Sequence, residues 1–393
     1  MVYVIGTFIA PVLVIGGAKL SFDVWCFPIL LILYLIKKGK IVFHLEDIFF
    51  VPYFAFYICI TLFTAAIYNC GISIATIYAI FRFISILNII KDTWKGELSD
   101  FLDRVLACVI PLNVICCVVQ MTNAVSVKLF YELYYKVSQS SLLNQIQIGY
   151  FNRAYGTTGS PVILGGISAM AYAYYLATYV SPRHNIRWNL LKLFCSIICG
   201  ILALSKTAIL AIPIMTFLIL ILNFAYNGNK SIMVLLRFLG IIVLGSAVLY
   251  FVIIWMKDEG FAIAYYLDFL KNPLKAFRTR YDSQSGNLSV AIDIIKNNLL
   301  FGVGHAIFND NFVGDSAYIV LLYQTGILGF IAYLYPYMKN FIRGMKKKEL
   351  LKSSLILVFF LIIAGNALHL AYYLIPFAAV IFDNYSNKVI DKK

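Results

Sequence analysis

Charge is scarce in this chain. Only 13% of its 393 residues are Asp, Glu, Lys or Arg, about half of what a soluble protein carries. Histidine occurs four times. Signatures of familiar soluble chemistry are missing as well. None of the eight cysteines forms a C-x-x-C pair, which leaves no disulfide framework or zinc knuckle to read. There is no H-E-x-x-H and, outside the apolar runs, no D-x-D. Both absences argue against a divalent-metal enzyme. No G-x-S-x-G elbow is present, so an α/β-hydrolase is disfavoured. The lone Gly302-Val303-Gly304 lacks a β-α-β frame and a P-loop lysine, so it reads as a turn and not a nucleotide cradle.

What the chain has in abundance is apolar length. Hydrophobic residues make up 62%, in runs long enough to cross the roughly 30 Å of a bilayer core as helices. Lipid tolerates only helices or closed barrels, and a barrel would alternate in ten-residue segments. The expected fold is therefore an all-α polytopic membrane protein of one domain. Spans are placed near 2–17, 24–36, 48–67, 71–90, 103–122, 161–180, 188–204, 207–225, 232–254, 315–336, 353–368 and 371–384, about twelve in all. The first run has no basic leader and no A-x-A-like site, so a retained span is expected.

The net charge of +14 suggests membrane orientation and no nucleic-acid partner. "KKGK" (37–40), "KDTWKGE" (91–97), "SPRHNIRWN" (181–189), "NGNK" (227–230), "KNFIRGMKKKELLK" (339–352) and the final "NKVIDKK" all fall on one side of the expected spans. The positive-inside rule then puts both termini in the cytoplasm. Two long connections, about 123–160 and 256–314, fall on the opposite side, where long loops carry function. Within the second, "LSVAIDIIKNNLL" places Val290, Ile294 and Leu299 near one helical face. That face suits a helix lying on the membrane or one packed on the bundle.

The outer connections hold Arg153, Arg278 and Arg280, and Lys206 tips the short 204–207 turn. Such cations suit lipid headgroups, local ion pairs or a bound oxyanion, phosphate above all. His305 is a structural loop histidine or an acid–base group near neutral pH. Asp315 follows Gly314 at the head of an apolar run, a place for an N-cap or for a general base. Tyr281, beside Arg280, and His369, near the outer face, complete the candidate set. No metal site or cofactor is expected.

Four stretches together resemble the Wzy-type O-antigen polymerases and, more distantly, the O-antigen ligases. "FNRAYGTTGSPVILGG" (151–166) is similar to that family's Arg-x-x-Gly segment leading into a span. "LALSKTAILAI" (202–212) matches its Ser-Arg turn, with Lys206 where arginine is usual. "IIKNNLLFGVGHAIF" (294–308) resembles its Pro-x-x-Gly-x-Gly segment, without the proline. "GDSAYIVLLYQTGILGF" (314–330) resembles its His-or-Asp head of a span, with Asp315 where ligases carry histidine.

The resemblance implies a membrane glycosyltransferase of GT-C-like architecture in the bacterial inner membrane. It would work at the periplasmic face on donor and acceptor oligosaccharides carried by undecaprenyl diphosphate, alongside a possible chain-length regulator protein. Arg153, Arg280, Arg278 and Lys206 would meet the diphosphate, and Asp315 or His305 would take the acceptor's proton. A ligase acting on lipid A core and a glycolipid flippase are the other readings.

Overall fold

A computed structural model describes residues 1–15, 18–40, 50–69, 71–72, 74–122, 124–134, 153–181, 186–228, 288–304, 306–307, 316–365 and 372–383. Helices dominate, in the order α1 (Val2–Ile9), α2 (Phe22–Lys38), α3 (Val51–Tyr68), α4 (Ile74–Thr93), α5 (Leu98–Thr122), α6 (Ala124–Tyr134), α7 (Pro161–Val180), α8 (Ile186–Leu202), α9 (Lys206–Asn227), α10 (Ser289–Asn297), α11 (Ala317–Lys346), α12 (Leu350–Gly365) and α13 (Ile375–Ile381). Five of the described helices, α3, α5, α7, α9 and α11, are long and apolar enough to cross a membrane. The chain is thus a predominantly α-helical, membrane-embedded protein.

Two of the expected spans take a different form. Where a span was placed at 2–17, α1 has only eight residues, followed by an antiparallel hairpin of β1 (Leu13–Ile15) and β2 (Ala18–Leu20). Apolarity alone did not separate a half-length helix plus hairpin from one continuous span. Where a span was placed at 371–384, a 3-10 turn (Tyr372–Leu374) leads into the seven residues of α13. The 232–254 span lies outside the described residues.

The core is built around α7, almost wholly buried along its 20 residues. Gly165, Gly166, Ser168, Ala169, Ala171, Ala173 and Ala177 give it a slim profile. Small residues let backbones approach where lipid supplies no hydrophobic drive between helices. A Cβ on Gly200 of α8 would stand 2.6 Å from Ser168 Oγ.

Contacts sort the helix ends. Lys38 Nζ lies 2.9 Å from Asp92 Oδ2, joining the last residues of α2 and α4. Lys192 Nζ reaches Asp103 Oδ2 at 2.8 Å, joining the second turns of α8 and α5. Lys352 Nζ donates to Asp383 O at 2.6 Å, and Lys91 Nζ stands over the Phe382 ring at 5.7 Å. The basic connections around 37–40, 91–97 and 347–352 therefore gather at one end of the bundle, with the starts of α5 and α8. At the same end Tyr226, near the close of α9, meets Ser353 of α12. Lys206 lies at the other end of α9, about 30 Å away by helix rise.

Inside the bundle Arg82 Nη1 pairs with Asp23 Oδ2 at 2.6 Å, both buried. Arg82 also stands over the Tyr78 ring, and Tyr78 donates to Val24 O. These contacts and the Lys38–Asp92 pair make α2 and α4 parallel neighbours.

Candidate functional site

The Arg-x-x-Gly segment does not lie on the surface. Residues 154–159 are buried without being helical, a state that lipid-level backbone adopts only where protein satisfies it. Two side-chain amides of α5 do so. Gln120 Oε1 accepts from Tyr155 N and Gly156 N, both at 3.1 Å. Asn113 Oδ1 accepts from Thr157 N at 2.9 Å and from Thr157 Oγ1 at 3.2 Å. Thr157 Oγ1 also lies 2.7 Å from Phe8 O, at the end of α1. Gly156 has φ +51°, and a Cβ there would collide with Asn113 Oδ1. The glycine is therefore required by both its conformation and the close approach.

This clasp delivers Arg153 to the short turn between α8 and α9. Arg153 Nε donates to Ala203 O at 3.3 Å, and Ala154 N donates to Leu202 O at 2.9 Å. Lys206 opens α9 three residues after Ala203. Two cations 53 positions apart in sequence are thus carried by adjoining backbone, at the end of the bundle opposite the basic connections. Among the described residues no carboxylate pairs with Arg153. A third chain segment closes in here: a Cβ on Gly365, the last residue of α12, would collide with Thr207 Oγ1. The chain therefore leaves α12 beside Lys206, four residues before His369.

The Gly-x-Gly segment is a turn, with φ +67° at Gly302 and +68° at Gly304, and it has a further role. Helix α11 is broken at Gly326, whose φ +58° and ψ −165° suit glycine almost alone. The break orphans backbone groups on both sides, and residues 299–304 supply the partners. Val303 N donates to Tyr323 O at 2.9 Å and Gly304 N to Gln324 O at 2.8 Å. Ile327 N donates to Leu299 O at 2.8 Å, and Leu328 N to Leu300 O at 3.4 Å. Gly302 (φ +67°) would place a Cβ 2.6 Å from the Thr325 and Gly326 nitrogens.

The break also turns the first half of α11 back toward the second. Tyr318 packs its ring 5.9 Å from that of Phe330 and donates to Phe360 O at 2.9 Å. In a straight helix those two rings would be about 18 Å apart along the axis. The start of α11, at Ser316 and Ala317, is consequently buried. A short ladder of Gly71–Ile72 with Ala306–Ile307 ties the segment after Gly304 to the connection between α3 and α4.

Helix α10 packs on this unit through Ala291 and Ile295 and leaves Val290 and Leu299 about half exposed. Of the apolar face read from the sequence, Ile294 joins this packing, and Val290 and Leu299 do not. Burial raises the Tyr131 hydroxyl of α6 above its ordinary value.

Of the candidates read from sequence, Arg153 and Lys206 are brought together. His305, Asp315, Arg278, Arg280, Tyr281 and His369 lie outside the described residues. Asn113, Gln120 and Thr157 were not among the candidates. Their signal was present, since Asn113, Cys117 and Gln120 fall at i, i+4 and i+7, one helical face, within an otherwise apolar helix. Comparison with protein-family models and with curated proteins finds no match.

Proposed function

We propose that the chain is a surface-polysaccharide polymerase of the O-antigen type, a polytopic glycosyltransferase with about twelve spans and a GT-C-like plan. The observation that supports it best is that Arg153 is held against the turn from which Lys206 opens α9, away from the basic end, with no carboxylate paired to Arg153 among the described residues. On this reading the basic end and both termini face the cytoplasm, and the Arg153 end faces the periplasm.

The donor is a growing glycan on undecaprenyl diphosphate, and the acceptor is a single repeat unit on the same lipid. A hydroxyl at the acceptor's non-reducing end attacks the donor's anomeric carbon. The bond to the diphosphate breaks, its electrons leave with undecaprenyl diphosphate, and the hydroxyl proton passes to Asp315 or His305. Because the energy is already in the donor link, no soluble nucleotide sugar and no cofactor is required. Negative charge grows on the departing diphosphate, so Arg153 and Lys206, with Arg280 and Arg278, have a transition-state role. One ion pair near 4 Å is worth about 4 kcal/mol at an effective dielectric near 20, before desolvation.

Arg153→Ala and Arg280→Ala should each accumulate in the membrane yet abolish long glycan chains on a gel. Wild-type ladders from both variants would remove the cations from the mechanism. Deleting the gene separates the alternatives: a polymerase deletion leaves one repeat on the core, and a ligase deletion leaves bare core. The break in α11 is the observation that favours a flippase, because transporters place discontinuous helices at their substrate. Here, however, the backbone groups flanking Gly326 are taken by residues 299–304 and do not face a vacant site.

A further inference from the structure

The basic end of the bundle carries a groove that the polymerase reading does not use. It has a volume of about 220 Å³ and opens between α2 and α4. Val4, Ile86, Ile90 and Phe101 line its inner wall and are buried, whereas Leu33 on its outer lip is 60% exposed. Its origin is geometric. Helix α1, at eight residues, covers only about 12 Å of the bundle's height, and Met1, Tyr3 and Val4 close the far end of the groove.

The mouth is polar and positive. Lys37 and Trp94 line it, and the Arg104 guanidinium stands 5.5 Å from the centre of the Trp94 ring. Neither Lys37 nor Arg104 has a carboxylate partner among the described residues. The carboxylates nearby are otherwise engaged: Asp92 with Lys38 and the Tyr34 hydroxyl, Asp103 with Lys192, and Glu97 with Ser99 Oγ. Asp100, four residues before Arg104, forms no ion pair with it.

We propose that this groove binds one anionic phospholipid, an acyl chain lying along Ile86 and Ile90 and the phosphate between Lys37 and Arg104. An apolar slot ending in two uncompensated cations is complementary to an anionic amphiphile, and less so to a zwitterionic one whose ammonium would meet the same charges. Basic pockets between spans are the physical form such recognition takes. A tryptophan at the mouth suits the headgroup level, where its ring is apolar on one side and wet on the other. The binding is independent of the glycan chemistry at the opposite end.

The test is native mass spectrometry of the purified full chain in detergent, titrated with phosphatidylglycerol, with phosphatidylcholine and with inorganic phosphate. One phosphatidylglycerol should be retained in preference to phosphatidylcholine, and phosphate alone should not bind. Lys37→Gln with Arg104→Gln should weaken retention about tenfold or more, whereas Lys346→Gln with Lys348→Gln, at the same end but away from the groove, should not. Leu33→Trp, which fills the slot and leaves the charges in place, should also weaken it. Equal retention of the two lipids would overturn the proposal. So would equal losses from the two charge-variant pairs, or undiminished retention in Leu33→Trp.

Discussion

Gln120 Oε1 stands 3.1 Å from the backbone nitrogens of both Tyr155 and Gly156, so one side-chain oxygen satisfies two buried donors. Replacing Gln120 with leucine keeps the bulk and strands both N–H groups. Each unsatisfied buried group costs about 1–3 kcal/mol. Gln120→Leu should therefore melt several degrees lower in detergent than wild type, and it should expose Cys117, which packs behind Gly156. Maleimide uptake by a variant whose only cysteine is Cys117 reports the opening. Unchanged melting and no uptake would remove the clasp.

The glycines at the α11 break admit no side chain. Gly302→Ala places a methyl against the Thr325–Gly326 backbone in a left-handed conformation that costs an L-residue about 1–2 kcal/mol before the overlap is counted. Residues 288–304 should then detach from α11, and limited proteolysis should cut there in the variant first. Gly96→Ala, which faces only the Trp94 side chain, serves as the matched control and should keep the wild-type pattern.

Asp23→Asn leaves a buried guanidinium without its carboxylate. Breaking one side of such a pair costs about 3–5 kcal/mol, whereas removing both charges is often neutral. Asp23→Asn should lower folded yield sharply, and Asp23→Leu with Arg82→Leu should recover much of it. A double variant as damaged as the single one would show that the charges are not coupled.

Cysteines introduced one at a time at positions 38, 346, 153 and 206, in a background without native cysteine, test the sidedness. With an impermeant maleimide on intact spheroplasts, 153 and 206 should label directly, and 38 and 346 only after permeabilisation. Labelling of all four from one face would refute the proposed orientation.

Much of the helical content was legible because a bilayer-length apolar run leaves the backbone few options. The gathering of basic connections was legible for the same reason, since spans in alternation fix which loops share an end. Tertiary exceptions were less visible. Pro11 and the Gly16-Gly17 pair sit inside the first apolar run and marked a place where a helix stops, yet hydropathy summed over the run outweighed them. Gly326 likewise reads as a small residue in a span, and only the arrival of residues 299–304 from elsewhere in the sequence makes a break there tolerable. At the site, Arg153 and Lys206 were found from charge alone. The amides that aim Arg153 were overlooked because a lone polar residue in a span has many uses, and its partner lies about 40 positions away.

Helix α2 is fastened to α4 at two heights, by Asp23 to Arg82 near its start and by Lys38 to Asp92 at its end, points separated by about 22 Å of helix rise. A rod held at both extremities can neither shear by one turn nor rock about its middle without losing an attachment. Motion on that flank of the molecule is thereby left to the short α1, which meets the start of α2 through the Tyr3 hydroxyl on Asp23 O and the Tyr3 ring, 6.0 Å from that of Phe22.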